Sequence, residues 1–321
     1  MNDRAKLSVA VVGAGPIGSI LSAHLLEAGA DVVICDVSQA RLDVIGKNGI
    51  VLRNSIHKTL PASDTVRSIS ELSGYQMDLV IIAVKCPYLV SVLEEIGRID
   101  SGNFFLMSAQ NGLGTEDDIS TLFSADRTLR MVINFAGNLV KSEDETQAGV
   151  VNVTFFNPPN YVAAMSDAGR AIEAGFIEAL NSAGLTTESS SHIQLHIWEK
   201  VILNNALCAL CAVTGKTMGE VMSFPSTLQM VEGIIEESLE VAQAEGVELD
   251  DDFPATAIDY LNKGGAHKPT MLVDVENGLL TEIDYLNGKI ELYGNKHEIA
   301  TPLNSALTAM VKLVEAGYGD G

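Results

Sequence analysis

Gly13, Gly15 and Gly18 form a G-x-G-x-x-G motif. In such a motif the first glycine makes a tight turn after a strand and the second lets backbone approach a pyrophosphate. The third lets the following helix pack close to the strand. That helix, read from Ser19 with Pro16 and Ile17 in the turn before it, would turn free N–H groups and a partial positive charge toward phosphate oxygens. Asp36 follows Gly18 by eighteen residues, at the end of a second apolar run. A carboxylate there accepts hydrogen bonds from ribose hydroxyls and repels a 2′-phosphate, which favours NAD(H) over NADP(H). Arg41 would offset that repulsion if its loop folded back. The competing role for Asp36 is a helix N-cap, and Ser38 is the better placed residue for that.

A second group lies far along the chain, in Trp198-Glu199-Lys200-Val201-Ile202-Leu203-Asn204-Asn205. On a helix, Lys200 and Asn204 are four apart and share a face. A lone lysine in an apolar helix ordinarily snorkels to water. Turned inward beside an asparagine, it could bind a carboxylate or donate a proton. Thr281 to Gly288 (TEIDYLNG) forms a third group, with Glu282 at an apolar helix start, where the helix dipole alone would favour an acid. His267-Lys268-Pro269-Thr270 is a local basic and hydroxylic patch in an acidic chain. Cys208 and Cys211 have redox spacing but sit in an apolar helical run and read as buried structural thiols. His192 and His196 lack the glutamate of an H-E-x-x-H site, so no metal is expected there.

These residues need a scaffold. Leu7–Val12, Asp31–Cys35, Ile50–Arg53, Asp78–Val84, Phe104–Ser108, Arg130–Phe135 and Gly149–Thr154 read as short strands. The helical stretches Ser19–Ala28, Gln39–Lys47, Tyr88–Ile96 and Glu116–Phe123 separate several of them. Continuous apolar strands alternating with helices imply an α/β domain with a parallel sheet. Thr186–Ser191 is polar and reads as a linker or a helix N-cap region. Beyond it, His192–Val213, Ser226–Ala244, Ala255–Asn262, Leu280–His297 and Ser305–Ala316 read as helices. The expected division is a dinucleotide-binding Rossmann domain over 1–188 and a mostly α-helical substrate domain over 189–321.

The 321 residues suit two domains, and 47% hydrophobic content is that of a globular chain. The net charge of −22 makes nucleic acid and anionic membrane poor partners, and an anionic substrate then requires a local cation. The N-terminus lacks the pattern of a cleavable leader, and no apolar run of spanning length is free of charge. With four scattered cysteines, this points to reduced thiols and a cytoplasmic location. The apolar helices after residue 189 could bury a homodimer seam, and the same pattern equally serves a monomer core.

Four stretches in chain order resemble the ketopantoate reductase (2-dehydropantoate 2-reductase) family: VVGAGPIGS, VIIAVK, QNGLGTED, and WEKVILN with MLVDVENGLLTEIDYLNG. The resemblance implies a Rossmann domain, a helical domain, and reduction of a 2-oxo acid to its R-2-hydroxy acid by a reduced nicotinamide. It implies a catalytic group of Lys200, Glu282 and Asn111. Lys200 would be the general acid, Asn111 would place nicotinamide and substrate, and Glu282 and Asn204 would bind substrate hydroxyls. Thr270 stands where the family has a serine contacting the substrate carboxylate, and Cys208 where it has a second asparagine. Lys85 stands where the family has a lysine near the cofactor. The stretch after Gly149 lacks the family's glycine-rich pattern, and Asp36 departs from its common NADPH preference. The family also contains NAD-dependent R-2-hydroxyacid dehydrogenases of the D-mandelate type, a second expectation for this chain.

Overall fold

The computed structural model describes residues 6–61, 64–140 and 149–318, so the first five residues of the leader reading lie outside it. The chain divides into two compact units. One is Met1–Gln110 with Thr115–Ile193, and the other is Asn111–Gly114 with Gln194–Gly321.

The first unit runs β1 (Ser8–Val12), α1 (Pro16–Glu27), β2 (Asp31–Cys35), α2 (Gln39–Asn48), β3 (Ile50–Asn54), β4 (Lys58–Leu60), β5 (Asp64–Val66) and β6 (Leu79–Ile82). It continues with α3 (Leu89–Ile99), β7 (Phe105–Ser108), α4 (Thr115–Phe123), β8 (Thr128–Val132), β9 (Phe135–Leu139), β10 (Val151–Phe156), β11 (Asn160–Ala164), α5 (Arg170–Ser182) and β12 (Thr187–Ser189). Eight strands form one sheet in the order β12-β11-β8-β7-β6-β1-β2-β5. Every pair in it is parallel except β11 with β8. β1 is an interior strand, with Ala10 beside Val33 on one side and Val80 on the other. β1, β2, β6 and β7 are buried almost throughout, as their unbroken apolar runs require of strands covered on both faces.

A second sheet, β4-β3-β10-β9, was not legible as a separate layer. α1 packs against β1 and β2 on one side and against β3, β4, β9 and β10 on the other. That sandwiching explains why Gly18 to Leu25 are buried without a break. A helix covered on two faces cannot carry an amphipathic stripe.

The second unit is helical among its described residues: α6 (Ile193–Thr214), α7 (Met218–Ser223), α8 (Pro225–Ala244), α9 (Phe253–Asn262), α10 (Thr270–Glu276), α11 (Asn287–Lys296) and α12 (Pro302–Glu315). By length and composition α6 could cross a membrane, but 67% of its apolar window is buried within the protein. It reads as a core helix. A buried polar chain ties α6, α8, α11 and α12 together. Asn287 donates to the Asn205 carbonyl (3.3 Å) and to Asn304 Oδ1 (2.9 Å), and Asn304 donates to Glu237 (2.8 Å).

Three expectations are corrected. Arg130–Phe135 is not one strand, because the chain leaves the first sheet after Val132 and enters the second at Phe135. Asn134 fixes the switch by donating its backbone N–H to Asn160 Oδ1. The linker Thr186–Ser191 contains the edge strand β12, paired to β11. Leu280–His297 is not one helix. Ile283–Tyr285 is a single 3₁₀ turn, and α11 starts afresh at Asn287. The Tyr285 carbonyl, which a continuous helix would give to the N–H of Lys289, instead accepts from Leu113.

Candidate functional site

The glycine loop leaves β1 at the carboxyl edge of the sheet. Gly13 has φ +104°, and its N–H donates to the Cys35 carbonyl (2.8 Å). A Cβ on Gly13 would lie 2.9 Å from the backbone of Ala83 and Val84, just before Lys85. A Cβ on Gly18 would lie 1.8 Å from the Gly13 carbonyl oxygen, so helix and turn touch there. A Cβ on Gly15 meets nothing within 4 Å. Gly15 is the N-cap of α1, Pro16 occupies its first turn, and no side chain caps it. This is a cradle with open space in front of uncapped N–H groups, and it fits a dinucleotide pyrophosphate.

Asp36 closes the loop from below. Its Oδ2 accepts the N–H of Ala14 (2.7 Å) and Nη1 of Arg41 (3.1 Å), and its Oδ1 accepts the N–H of Ser38 (2.8 Å). Ser38 itself caps α2, as its sequence position suggested. Asp36 therefore holds the shape of the glycine turn. Lys85 is half-buried and precedes a short 3₁₀ turn after β6. Gln110, at the exit of β7, donates its side-chain amide to the Val84 carbonyl (2.9 Å). Gly13, Asp36, Val84 and Gln110 thus gather at the carboxyl ends of neighbouring parallel strands, where open α/β sheets bind ligands.

The remaining candidates belong to the second unit. Lys200 and Asn204 are half-buried on α6, and Cys208 is one turn further and buried. Burial, the Cys211 thiol, Glu282 and Asp274 together push the Cys208 thiol far above its ordinary range. Cys211 is likewise raised, to about 12, chiefly by burial. Both thiols are free and buried, in line with a structural role.

Glu282 is not on a regular helix; it precedes the Ile283–Tyr285 turn. The same turn receives the backbone of the Asn111–Gly114 segment, with Leu113 N–H donating to the Tyr285 carbonyl (2.9 Å). α6 also meets α11, where Trp198 and Tyr293 stack at a tilt with centroids 6.1 Å apart. Asn111, Glu282 and the Lys200 to Cys208 face of α6 are therefore carried by elements that pack on one another. Thr270 is the exposed first residue of α10. Lys268, two residues earlier, pairs with Glu276 (2.5 Å).

Sequence reasoning missed Arg130 and Gln110. Arg130 is 2% exposed and pairs with Glu116 (Nε to Oε2 3.3 Å) inside the first unit. Nothing in its neighbours Leu129 and Met131 distinguishes it from a surface arginine at a strand end.

Comparisons with known proteins agree along the chain. The family described as "Ketopantoate reductase PanE/ApbA" matches residues 9–160, and "Ketopantoate reductase PanE/ApbA C terminal" matches 192–315. A 2-dehydropantoate 2-reductase of Streptococcus pyogenes is 29% identical over 314 residues, covering 96% of this chain and 98% of that protein. One from Archaeoglobus fulgidus is 26% identical over 310 residues, covering 96% and 98%. Among solved structures, a PanE/ApbA family ketopantoate reductase from Ralstonia eutropha JMP134 superposes with a TM-score of 0.85 at 25% identity, covering 97% of this chain and 99% of that one. A D-mandelate dehydrogenase in ternary complex with NADH and anilino(oxo)acetate gives 0.83 at 25% identity, with coverage of 97% and 99%.

Proposed function

The chain belongs to the ketopantoate reductase PanE/ApbA family, an oxidoreductase family using NAD(P)H, and from that premise we propose that it reduces a 2-oxo acid to the R-2-hydroxy acid. 2-Dehydropantoate, giving pantoate, is the first substrate to try. The observation that carries the reading is one face of α6. Lys200, Asn204 and Cys208 follow at successive turns, and the turn after Glu282 accepts the Leu113 N–H of the segment that carries Asn111.

When bound, the nicotinamide supplies the hydride, and the protein orients the parts. As hydride reaches the carbonyl carbon, the C=O electron pair moves onto oxygen. The Lys200 ammonium stabilises that charge and gives it a proton, becoming a neutral amine that solvent reprotonates. Asn111 places nicotinamide and substrate, while Asn204 and Glu282 take the substrate hydroxyls. Thr270 supplies a hydroxyl for the carboxylate. Cys208 replaces an amide with an apolar, protonated thiol, so that end of the pocket loses hydrogen-bonding capacity. In so acidic a chain Lys200 also answers the need for a local cation.

On the cofactor side Gly13, Gly15, Pro16, Ile17 and Gly18 cradle the pyrophosphate, Asp36 reads the ribose, and Lys85 lies near the dinucleotide. Asp36 supports NADH over NADPH, since its carboxylate lies at the strand tip and already draws Arg41 onto itself. Residues 1–188 then serve the dinucleotide and 189–321 the substrate.

A second reading is an R-2-hydroxyacid dehydrogenase for another bulky acid, favoured by Cys208 and Thr270 and by the likeness to the NADH-bound D-mandelate dehydrogenase. The test is loss of reduced-nicotinamide absorbance with 2-dehydropantoate, NADH and NADPH run in parallel. Turnover preferring NADH supports the first reading. Turnover only with aryl or branched 2-oxo acids supports the second. NADH binding without turnover of any such acid refutes both.

A further inference from the structure

The first unit contains a buried ionic group that no step above uses. Arg130, on β8, reaches across the sheet to the end of β7. Its Nη1 donates to Ser108 Oγ (2.9 Å) and to the Gln110 carbonyl (2.7 Å), and its Nε faces Glu116 Oε2 in the first turn of α4. Ser108 and Thr115 share a hydrogen bond (2.8 Å), and Thr115 Oγ1 donates to Glu116 Oε2 (3.4 Å). Arg130 is 2% exposed, as is Glu116.

These bonds have a common target. Ser108 and Gln110 form the exit of β7, while Thr115 and Glu116 begin α4. Between them lies the segment Asn111–Gly114. One guanidinium therefore fixes both ends of the segment that carries Asn111. Through the Gln110 amide on the Val84 carbonyl, the same network reaches the turn that leads to Lys85. A buried ion pair is weak evidence of stability, because desolvation offsets much of the attraction. A planar five-donor fork, however, holds several acceptors in one fixed geometry, which an apolar side chain or a lysine cannot do.

We infer that Arg130 is a positioning residue for the reaction: it sets where Asn111 stands, and its ion pair with Glu116 serves the geometry of that segment more than the stability of the fold. The inference rests on the reading of Asn111 as the residue that places nicotinamide and substrate. A small misplacement of such a group costs on the order of a hundredfold in rate.

Three variants test it. Arg130→Lys keeps the charge and loses the fork. Arg130→Met with Glu116→Gln removes both charges and leaves neither buried alone. Glu116→Gln alone leaves the Nη1 bonds intact. The fold is followed by thermal unfolding, NADH affinity by fluorescence, and the segment by amide hydrogen exchange. With the first two variants, kcat should fall about a hundredfold while NADH affinity stays within about threefold, since the glycine loop lies on a separate segment. Exchange should quicken at residues 109–114 without a matching change in β1 or α1. Glu116→Gln alone should lose less.

Unchanged kcat in a folded Arg130→Lys enzyme would overturn the inference. So would uniformly faster exchange together with a fall in unfolding temperature and no change in kcat, which is the pattern of a purely structural pair. If the unaltered protein binds NADH but turns over no 2-oxo acid, the functional reading has failed. The exchange experiment then decides alone whether Arg130 positions 109–114, and no local quickening overturns it.

Discussion

Gly15 and Gly18 stand three residues apart in one motif, yet the structure gives them opposite liabilities. A Cβ on Gly18 would sit 1.8 Å from the Gly13 carbonyl oxygen and 3.2 Å from Val11 Cγ1. The nearest obstacle is backbone, so no side-chain rotation relieves it. Helix α1 would have to move by more than 1 Å, by the measure that real Cβ contacts essentially never fall under 3.0 Å. α1 is wedged between two sheets, so that movement disturbs both. Overpacking of this kind costs about 1–3 kcal/mol, and more where backbone must yield. At roughly 2–4 °C per kcal/mol for a unit of this size, Gly18→Ala should lower Tm by about 2–12 °C.

Gly15→Ala should do the reverse. Its backbone, φ −66° and ψ −175°, suits an alanine, and the added methyl touches nothing within 4 Å. The unfolded chain loses freedom, so Tm should hold or rise slightly. The methyl, however, projects into the space the pyrophosphate needs. NADH affinity should drop at least tenfold, or about 1.4 kcal/mol. Calorimetry gives Tm and fluorescence titration gives Kd on the same preparations. A Gly15→Ala protein that binds NADH as tightly as the parent would refute the cradle, and a Gly18→Ala protein with unchanged Tm would refute the close approach of helix and turn.

Lys200→Ala should cut kcat about 10²–10⁴-fold with NADH affinity nearly unchanged, as steady-state kinetics and titration would read; full activity would remove the proposed general acid. Asp36→Ala should weaken NADH more than NADPH, narrowing the preference between them, and should also slacken the turn by leaving the Ala14 N–H without its carboxylate partner; paired Kd measurements check it. The buried His24 has its pKa lowered from 6.5 to about 4, chiefly by desolvation, so the folded state holds fewer protons than the unfolded state between those values. Its stability contribution is present above pH 6.5 and is lost as pH falls toward 4, by about 3 kcal/mol in all. His24→Gln should flatten the Tm-against-pH curve over that window relative to the parent, and an unaltered slope would refute the assignment.

The parts read correctly from sequence are those whose signal is local. The glycine loop announces itself because a tight turn and a close helix contact each exclude every side chain but hydrogen. β1, β2, β6 and β7 announce themselves because strands covered on both faces leave no polar residue to break the run. Lys200 and Asn204 share a face of α6 by spacing alone. The failures occur where a distant partner decides. The helix expected over Leu280–His297 breaks because Leu113, far away in sequence, takes the Tyr285 carbonyl. The Arg130–Phe135 run crosses from one sheet to another because Asn160 captures the Asn134 N–H.

Arg130 is the sharpest case. Its sequence neighbours give an ordinary amphipathic strand end, and its burial follows only from acceptors on β7 and α4 that chain topology brings to it. A residue whose work is to hold another in place leaves no spacing signature of its own, because its partners lie on other elements. In this chain the groups that would do the chemistry are therefore easier to find than the groups that would aim them. If the exchange experiment singles out residues 109–114, the second kind will have been found by counting where a buried guanidinium spends its hydrogen bonds.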